Sequence, residues 1–325
     1  TLSEALQLPS GQRSSGKPRA LAGKTSSQRD WAEQLRRYAT EHSAELGYWQ
    51  QRLQGAAALP CAAPTAVLDN AHAAMVHTRL DKTTTQRLLQ EAPAAYRTQV
   101  NDLLLTALAR TLCRWSGQGS VLVELEGHGR EELAEHLDLT RTVGWFTSVF
   151  PVCLTPAEAL GDSLKQIKEQ LRGVPNKGLG FGALRRFADA ATREALQALP
   201  VAPVTFNYLG QFHGSFQGED GPLVSPSGAA SGAEQSAQAP LANWLGINGQ
   251  VYDGELDLSW TYSTQMFDHA TLHALASDFA EQLQALVEHC CQPGQAGVTP
   301  SDFPLYPLAQ AQLDALPVAA RQIEV

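Results

Sequence analysis

Basic residues, paired cysteines and long apolar runs are all scarce in this chain, and each scarcity excludes a class of function. Twenty-four Lys and Arg against 33 Asp and Glu leave a net charge of −9 over 325 residues. Binding nucleic acid needs a basic surface that displaces counterions, so that partner is excluded. No run nears the roughly 20 apolar residues that carry a helix across a bilayer, so no membrane partner is expected either. The five cysteines, Cys61, Cys113, Cys153, Cys290 and Cys291, hold no C-x-x-C and have no His at metal-site spacing. They read as reduced thiols of a cytoplasmic protein, with no metal implied. The first residues lack the basic start and apolar core of a signal peptide. No two of the nine histidines are adjacent, an absence that matters below.

What is present is an ordinary globular composition, with 43% hydrophobic and 18% charged residues. The length suits about two domains. Residues 1–8 read as the end of a helix and 9–25 as a Ser/Gly/Pro loop. Ser27 and Asp30 have capping-box spacing. They open a helix striped by Trp31, Leu35 and Tyr38, and Leu46, Trp49 and Leu53 resume the stripe after a break. Residues 55–64 form an Ala/Pro linker, where the main boundary falls. An α/β block follows, with strands over 76–80, 120–126, 146–154 and 201–209 and helices over 83–91 and 100–115. Leu164, Ile167 and Leu171 make a short amphipathic helix. Asp253-Gly254 between alternating runs predicts a hairpin of 245–251 with 256–262. Asp268 caps a last helix built on Leu272, Leu275, Phe279, Leu283 and Leu286. Residues 215–239 read as a mobile Gly/Ser/Ala loop, and the chain from 292 onward as a linker.

The densest polar cluster, Glu126-Gly127-His128-Gly129-Arg130-Glu131, directly follows a strand. Glycines on both sides of His128 let the backbone turn tightly and approach a ligand. A carboxylate at a strand end with an Arg four residues on suits a general base held by a guanidinium, and a plain structural turn satisfies the same pattern. His128 either orients Glu126 or fills the turn. Gly178, Gly180 and Gly182 have G-x-G-x-G spacing with no Walker Lys-Ser/Thr behind them, so a nucleotide loop is not expected. Trp145 and Phe146 read more as core packing than as substrate contacts.

The same hexapeptide, together with Asp138-Leu139-Thr140-Arg141-Thr142-Val143-Gly144-Trp145-Phe146-Thr147-Ser148, resembles the paired signature motifs of epimerization domains from nonribosomal peptide synthetases. Val174-Pro175-Asn176-Lys177-Gly178-Leu179-Gly180-Phe181-Gly182 is similar to their next motif, and Phe206-Asn207-Tyr208-Leu209-Gly210-Gln211-Phe212 to the one after it. Residues 101–108 resemble the helix before the Glu strand, and 299–305 the linker toward a following condensation domain. The motifs keep the family order from residue 24 onward.

That resemblance implies a chloramphenicol-acetyltransferase-like, two-lobed α/β fold. This chain would carry mainly the C-terminal lobe, a mixed sheet packed with helices. Residues 1–65 become the tail of the N-terminal lobe with the inter-lobe linker, 66–291 the C-terminal lobe, and 292–325 a linker toward the next domain. The implied reaction inverts the Cα, L to D, of an aminoacyl or peptidyl thioester. The substrate rides on the 4'-phosphopantetheine of a carrier protein, and no cofactor binds directly. An upstream peptidyl carrier protein and a downstream condensation domain are the implied partners.

The resemblance gives catalytic roles to Glu126, Asn207 and Tyr208, and substrate-binding, arm-binding or supporting roles to His128, Arg130, Trp145, Ser148 and Lys177. Lys177 suits either a solvated loop or a phosphate of the carrier arm, and with Arg185 and Arg186 it forms charged surface or a patch for an acidic carrier. The residue types fit the chemistry. Removing a Cα proton beside a thioester takes a positioned base and a donor for the enolate oxygen, and inversion returns a proton to the opposite face. Asn207 and Tyr208 are consecutive, so in a regular strand they point opposite ways. Both reach one site only through a bulge or a strand end.

One departure stands out. The family's HHxxxDG motif is absent, and by family order it would precede Thr1. The chain is therefore expected to be an incomplete domain, inactive by itself. Two alternatives share the same pattern: a condensation or dual condensation/epimerization domain that forms amide bonds, and a non-catalytic fragment that docks a carrier protein.

Overall fold

The computed structural model describes residues 23–54, 59–61, 66, 68–212, 217–218, 221–222, 232, 235–306 and 308–315. The helix end expected over 1–8, nearly all of the loop at 9–25, and most of the segments at 55–64 and 215–239 lie outside the described residues.

The capping box closes as its spacing predicts. Ser27 Oγ accepts from Asp30 N at 3.2 Å, and Ser27 N donates to Asp30 Oδ2 at 2.7 Å. It starts α1 (Gln28–Glu41), and α2 (Glu45–Leu53) follows a short break. Next come β1 (Ala73–Leu80), α3 (Lys82–Gln90), α4 (Ala92–Tyr96) and α5 (Val100–Ser116). Helix α5 is apolar almost all round and buried accordingly, and Gly117 ends it at φ 69°. Then follow β2 (Val121–Gly127), β3 (Ser148–Leu154), α6 (Leu160–Arg172), a 3-10 turn (Pro175–Gly178), α7 (Leu179–Phe187), α8 (Ala190–Gln197) and β4 (Val204–Phe212). A small ribbon pairs β5 (Gln217–Gly218) with β6 (Gly221–Pro222). The Asp253-Gly254 hairpin joins β7 (Leu245–Tyr252) to β8 (Glu255–Ser263), both turn residues having positive φ. Helix α9 (His269–Cys290) and a short α10 (Gln310–Asp314) close the chain.

Helix α7 begins inside the glycine run, which the spacing alone does not mark as helical. The reason is a close approach: a Cβ on Gly180 would lie 2.0 Å from Glu45 Oε2, so glycine lets α2 and α7 meet. Helices α4 and α8 are likewise elements that the apolar pattern leaves unmarked.

The expected mixed sheet is present, in the order β1-β8-β7-β4-β2-β3. Strands β2, β4 and β7 run parallel, and the remaining neighbours are antiparallel. One face is apolar: Val76, Val123, Leu125, Val204, Phe206, Ile247, Leu258 and Trp260 are all buried, and α9 packs against β1 and α5 there. Trp260 Nε1 donates to Thr78 Oγ1 at 3.1 Å, and Thr78 Oγ1 donates to Ala276 O at 2.8 Å, so the indole is buried without an orphaned donor. Burying one such large side chain is worth about 1.5–3 kcal/mol. The opposite face carries His77, Ser259, Asn248, Asn207 and Glu126, which the strand registers bring into one polar row.

Helices α1, α2, α7 and α8 gather at the β3 edge. Tyr38, Ala39, Trp49 and Leu53 join the same core as the sheet, so the boundary near residue 65 divides the path of the chain and not its core. The stretch from 292 is also docked. Val298 and Thr299 are buried, and Asp302 reaches Lys168 Nζ at 2.7 and 2.8 Å. Among the described residues no helix is long and apolar enough to cross a membrane.

Candidate functional site

The parallel register of β2 with β4 sets Val123 against Val204, Glu124 against Thr205 and Leu125 against Phe206. Leu125 and Phe206 point into the core, so the next residue on each strand emerges on the open face. There Asn207 Nδ2 donates to Glu126 Oε2 at 3.1 Å. One step back along the strands, Asn243 Nδ2 donates to Glu124 Oε1 at 3.3 Å and to Thr205 Oγ1. Two carboxylates therefore sit in line on β2, each met by an amide. Burial raises the pKa of the Glu126 carboxyl above the usual carboxylate value, and the charge of Glu124 adds to the rise.

Tyr208 takes the other face. Its ring packs on the main core. It sits beside Gly249, where a Cβ would lie 3.5 Å from Tyr208 Cδ2 and 3.1 Å from Leu258 Cγ. Burial pushes its phenol pKa up. The register of β4 does shift, but between Tyr208 and Gln211. The irregularity thus comes after the tyrosine and leaves it on the side that strand alternation dictates. The structure unites Glu126 with Asn207 and separates Tyr208 from them.

The turn after β2 is held by its own residues. His128 Nδ1 accepts from Arg130 N at 3.0 Å, which leaves Nε2 to donate to Glu131 Oε1 at 3.2 Å. Glu131 Oε2 also receives Lys177 Nζ at 2.9 Å. Of the two readings of His128, filling the turn is the one its contacts match. Arg130 does not hold Glu126. It donates to the carbonyl oxygens of Leu139 and Thr142, the latter at 2.9 Å, and its cation lies 4.1 Å over the Phe146 ring. A guanidinium turned toward carbonyls pins the 128–147 loop, and this replaces the expected carboxylate clamp.

Gly129 has φ 65°, and a Cβ there would fall 1.6 Å from Phe146 O, so only glycine fits. Phe146 is buried with Trp31, Leu139 and Leu179, as core packing predicts. Trp145 departs from that expectation and is 83% exposed. Phe146 fills the space beneath Arg130, and the preceding side chain turns outward while its carbonyl accepts from Gln28 Nε2 at 3.0 Å. Ser148 opens β3 opposite Gly127.

Among the described residues, no group of three or more His, Cys, Asp or Glu is placed to hold a metal. Sequence reasoning singled out neither Glu124 nor Asn243. Strand alternation does set Glu124 on the face of Glu126, whereas nothing near Asn243 marks it. Chemically, the arrangement offers a carboxylate of raised proton affinity on an open face, steadied by one amide, with a second carboxylate two residues away.

The sequence matches the family described as "Condensation domain" over residues 11–304. It is 41% identical over 317 residues to a linear gramicidin synthase of Brevibacillus parabrevis, covering 96% of this chain and 6% of that protein. It is 36% identical over 301 residues to tyrocidine synthase 2 of the same organism, covering 90% of this chain and 8% of that protein. The chain thus spans under a tenth of these relatives. Among solved structures it is similar to the epimerization domain from the third module of tyrocidine synthetase B, with a TM-score of 0.76 and 35% identity. That match covers 86% of this chain and 63% of that one.

Proposed function

Because the chain belongs to the condensation-domain family of nonribosomal peptide synthetases, we propose that it forms the greater part of an amino-acid epimerization domain. The domain inverts the Cα of an aminoacyl or peptidyl thioester from L to D. The observation that carries this reading is the pairing of Asn207 with Glu126 on an open sheet face. Similarity to the tyrocidine epimerization domain supports it.

In this reading Glu126 takes the Cα proton on one side of the carbon. Its raised pKa suits that task, since a base works best when its proton affinity approaches the working pH. Asn207 keeps the carboxylate aimed, and its amide has a second N–H to offer the enolate oxygen. The substrate arrives on the 4'-phosphopantetheine of an upstream carrier protein, no cofactor binds to the chain directly, and the product passes to a downstream condensation domain. Tyr208 faces the core, so the proton for the opposite face is not assigned to it.

The test places the chain in its synthetase with the flanking sequence and a carrier loaded with an L-aminoacyl thioester. Cα deuterium uptake from heavy water and the D/L ratio of released amino acid are then followed. Glu126→Gln is expected to abolish both deuterium uptake and D product. Undiminished exchange in that variant overturns the assignment of the base. Amide formation without Cα exchange in the unaltered protein moves the chain to the condensation reading.

A further inference from the structure

Glu124 precedes Glu126 by two residues on the same face of β2, and its carboxylate is held in place. Asn243 bridges Glu124 Oε1, at 3.3 Å, to the hydroxyl of Thr205 on the neighbouring strand. We propose that Glu124 is a positioning residue that acts through Glu126, a fixed negative charge set beside the base that makes it a stronger proton acceptor. The proposal rests on the reading of Glu126 as the base.

The surroundings of Glu126 leave this role to Glu124. On β4 the neighbour is the neutral Asn207, on β3 the apolar Val149, and on β7, beyond Asn207, the neutral Asn248. The turn after β2 brings His128, Arg130 and Glu131, and the 3-10 turn brings Lys177. Those four are engaged elsewhere: His128 and Lys177 with Glu131, and Arg130 with the carbonyls of Leu139 and Thr142. Burial is the larger cause of the raised proton affinity of Glu126, and the charge of Glu124 adds to it.

The effect follows from Coulomb's law. Residues i and i+2 of a strand stand about 6.6 Å apart, and two like charges at that range in a wet site shift each other's ionisation by about half a pH unit. A base that lets go of its proton too readily is poor at abstracting a weakly acidic Cα hydrogen. A fixed neighbouring charge corrects this.

The test is a ¹³C NMR titration of side-chain carboxyls in the full 325-residue chain, together with exchange kinetics in the synthetase. Glu124→Gln should lower the Glu126 midpoint by about half a unit, and Glu124→Asp should restore most of that shift. In exchange assays, Glu124→Gln should move the acidic limb of the pH profile down by the same amount and lower kcat more than it raises KM. A Glu126 midpoint unmoved in folded Glu124→Gln, or moved equally in Glu124→Asp, overturns the proposal. A lowered midpoint in Glu124→Gln with no Cα exchange by the unaltered synthetase defeats the epimerase reading instead, so the two failures are distinct.

Discussion

Asn207 Nδ2 and Glu126 Oε2 lie 3.1 Å apart across two parallel strands, although 81 positions separate the residues in sequence. An amide NH₂ can only donate, so this contact favours the ionised carboxylate and fixes its direction. A hydrogen bond to a charged group is worth about 1.5–3 kcal/mol. Asn207→Ala is therefore expected to slow Cα exchange about 10- to 100-fold with little change in fold. Single-turnover deuterium uptake on a loaded carrier measures the first, and circular dichroism the second.

The raised pKa of Glu126 has a consequence for stability. Its folded-state value lies above the ordinary 4.5, so above that pH the unfolded chain gives up this proton more easily than the folded one. Stability attributable to the group is thus full below pH 4.5 and falls as pH rises through the folded value. Glu126→Gln is expected to melt slightly higher than the unaltered chain at pH 7, and equally at pH 4. Thermal melts at the two pH values check this, and a lower melting point at pH 7 contradicts it.

The 128–147 loop depends on Gly129 and Arg130. Gly129→Ala places a methyl 1.6 Å from Phe146 O at a backbone φ of 65°. The loss of stability should exceed about 2 kcal/mol, combining left-handed strain with the clash. Arg130→Lys loses the forked contact with two carbonyls and the stacking on Phe146, at about 1–3 kcal/mol. Lys177→Ala breaks an exposed pair with Glu131 and should cost under about 1 kcal/mol. Urea unfolding of the three variants should reproduce this ranking.

Lys168 is 1% exposed, and its ammonium meets both oxygens of Asp302 and the carbonyl of Tyr96. Asp302→Ala leaves that cation buried without its anion and should destabilise the chain by about 3–5 kcal/mol. Replacing the pair together with Met and Leu should recover most of the loss. Burial already holds the Lys168 pKa below its ordinary 10.5, so the unfolded lysine keeps its proton to higher pH. The deficit in Asp302→Ala should therefore shrink as pH rises toward 10. Urea midpoints at pH 7 and pH 10 measure both effects.

The legible parts of this fold were those with a local signal. The Ser27 and Asp30 pair, the Asp253-Gly254 turn and the stripe from Leu272 to Leu286 each act within a few residues, and each element stands where its signal lies. Helix α7 was hidden because its glycines answer to Glu45, which is distant in sequence. The site divides the same way. The motif around Glu126 is contiguous and lies at the end of a strand the alternation marks. The loop clamp made by Arg130 and the bridge from Asn243 to Glu124 depend on residues brought in by folding. Alternation also placed Asn207 and Tyr208 on opposite faces, and the structure keeps them there.

That alternation makes β4 a strand on which counting errors are fatal. Its neighbour β2 is parallel, so no tight turn ties the two together, and the path between them runs through β3, three helices and a 3-10 turn. Residues inserted in that path can be absorbed as longer loops. A single residue inserted or deleted within 204–207 exchanges inside for outside, swinging the amide toward the core and a phenol toward Glu126. Phe206, fully seated in the apolar face, acts as the tooth that prevents the slip. Its truncation would be felt first as a loss of ratchet between the two strands, before any loss of the carboxylate itself.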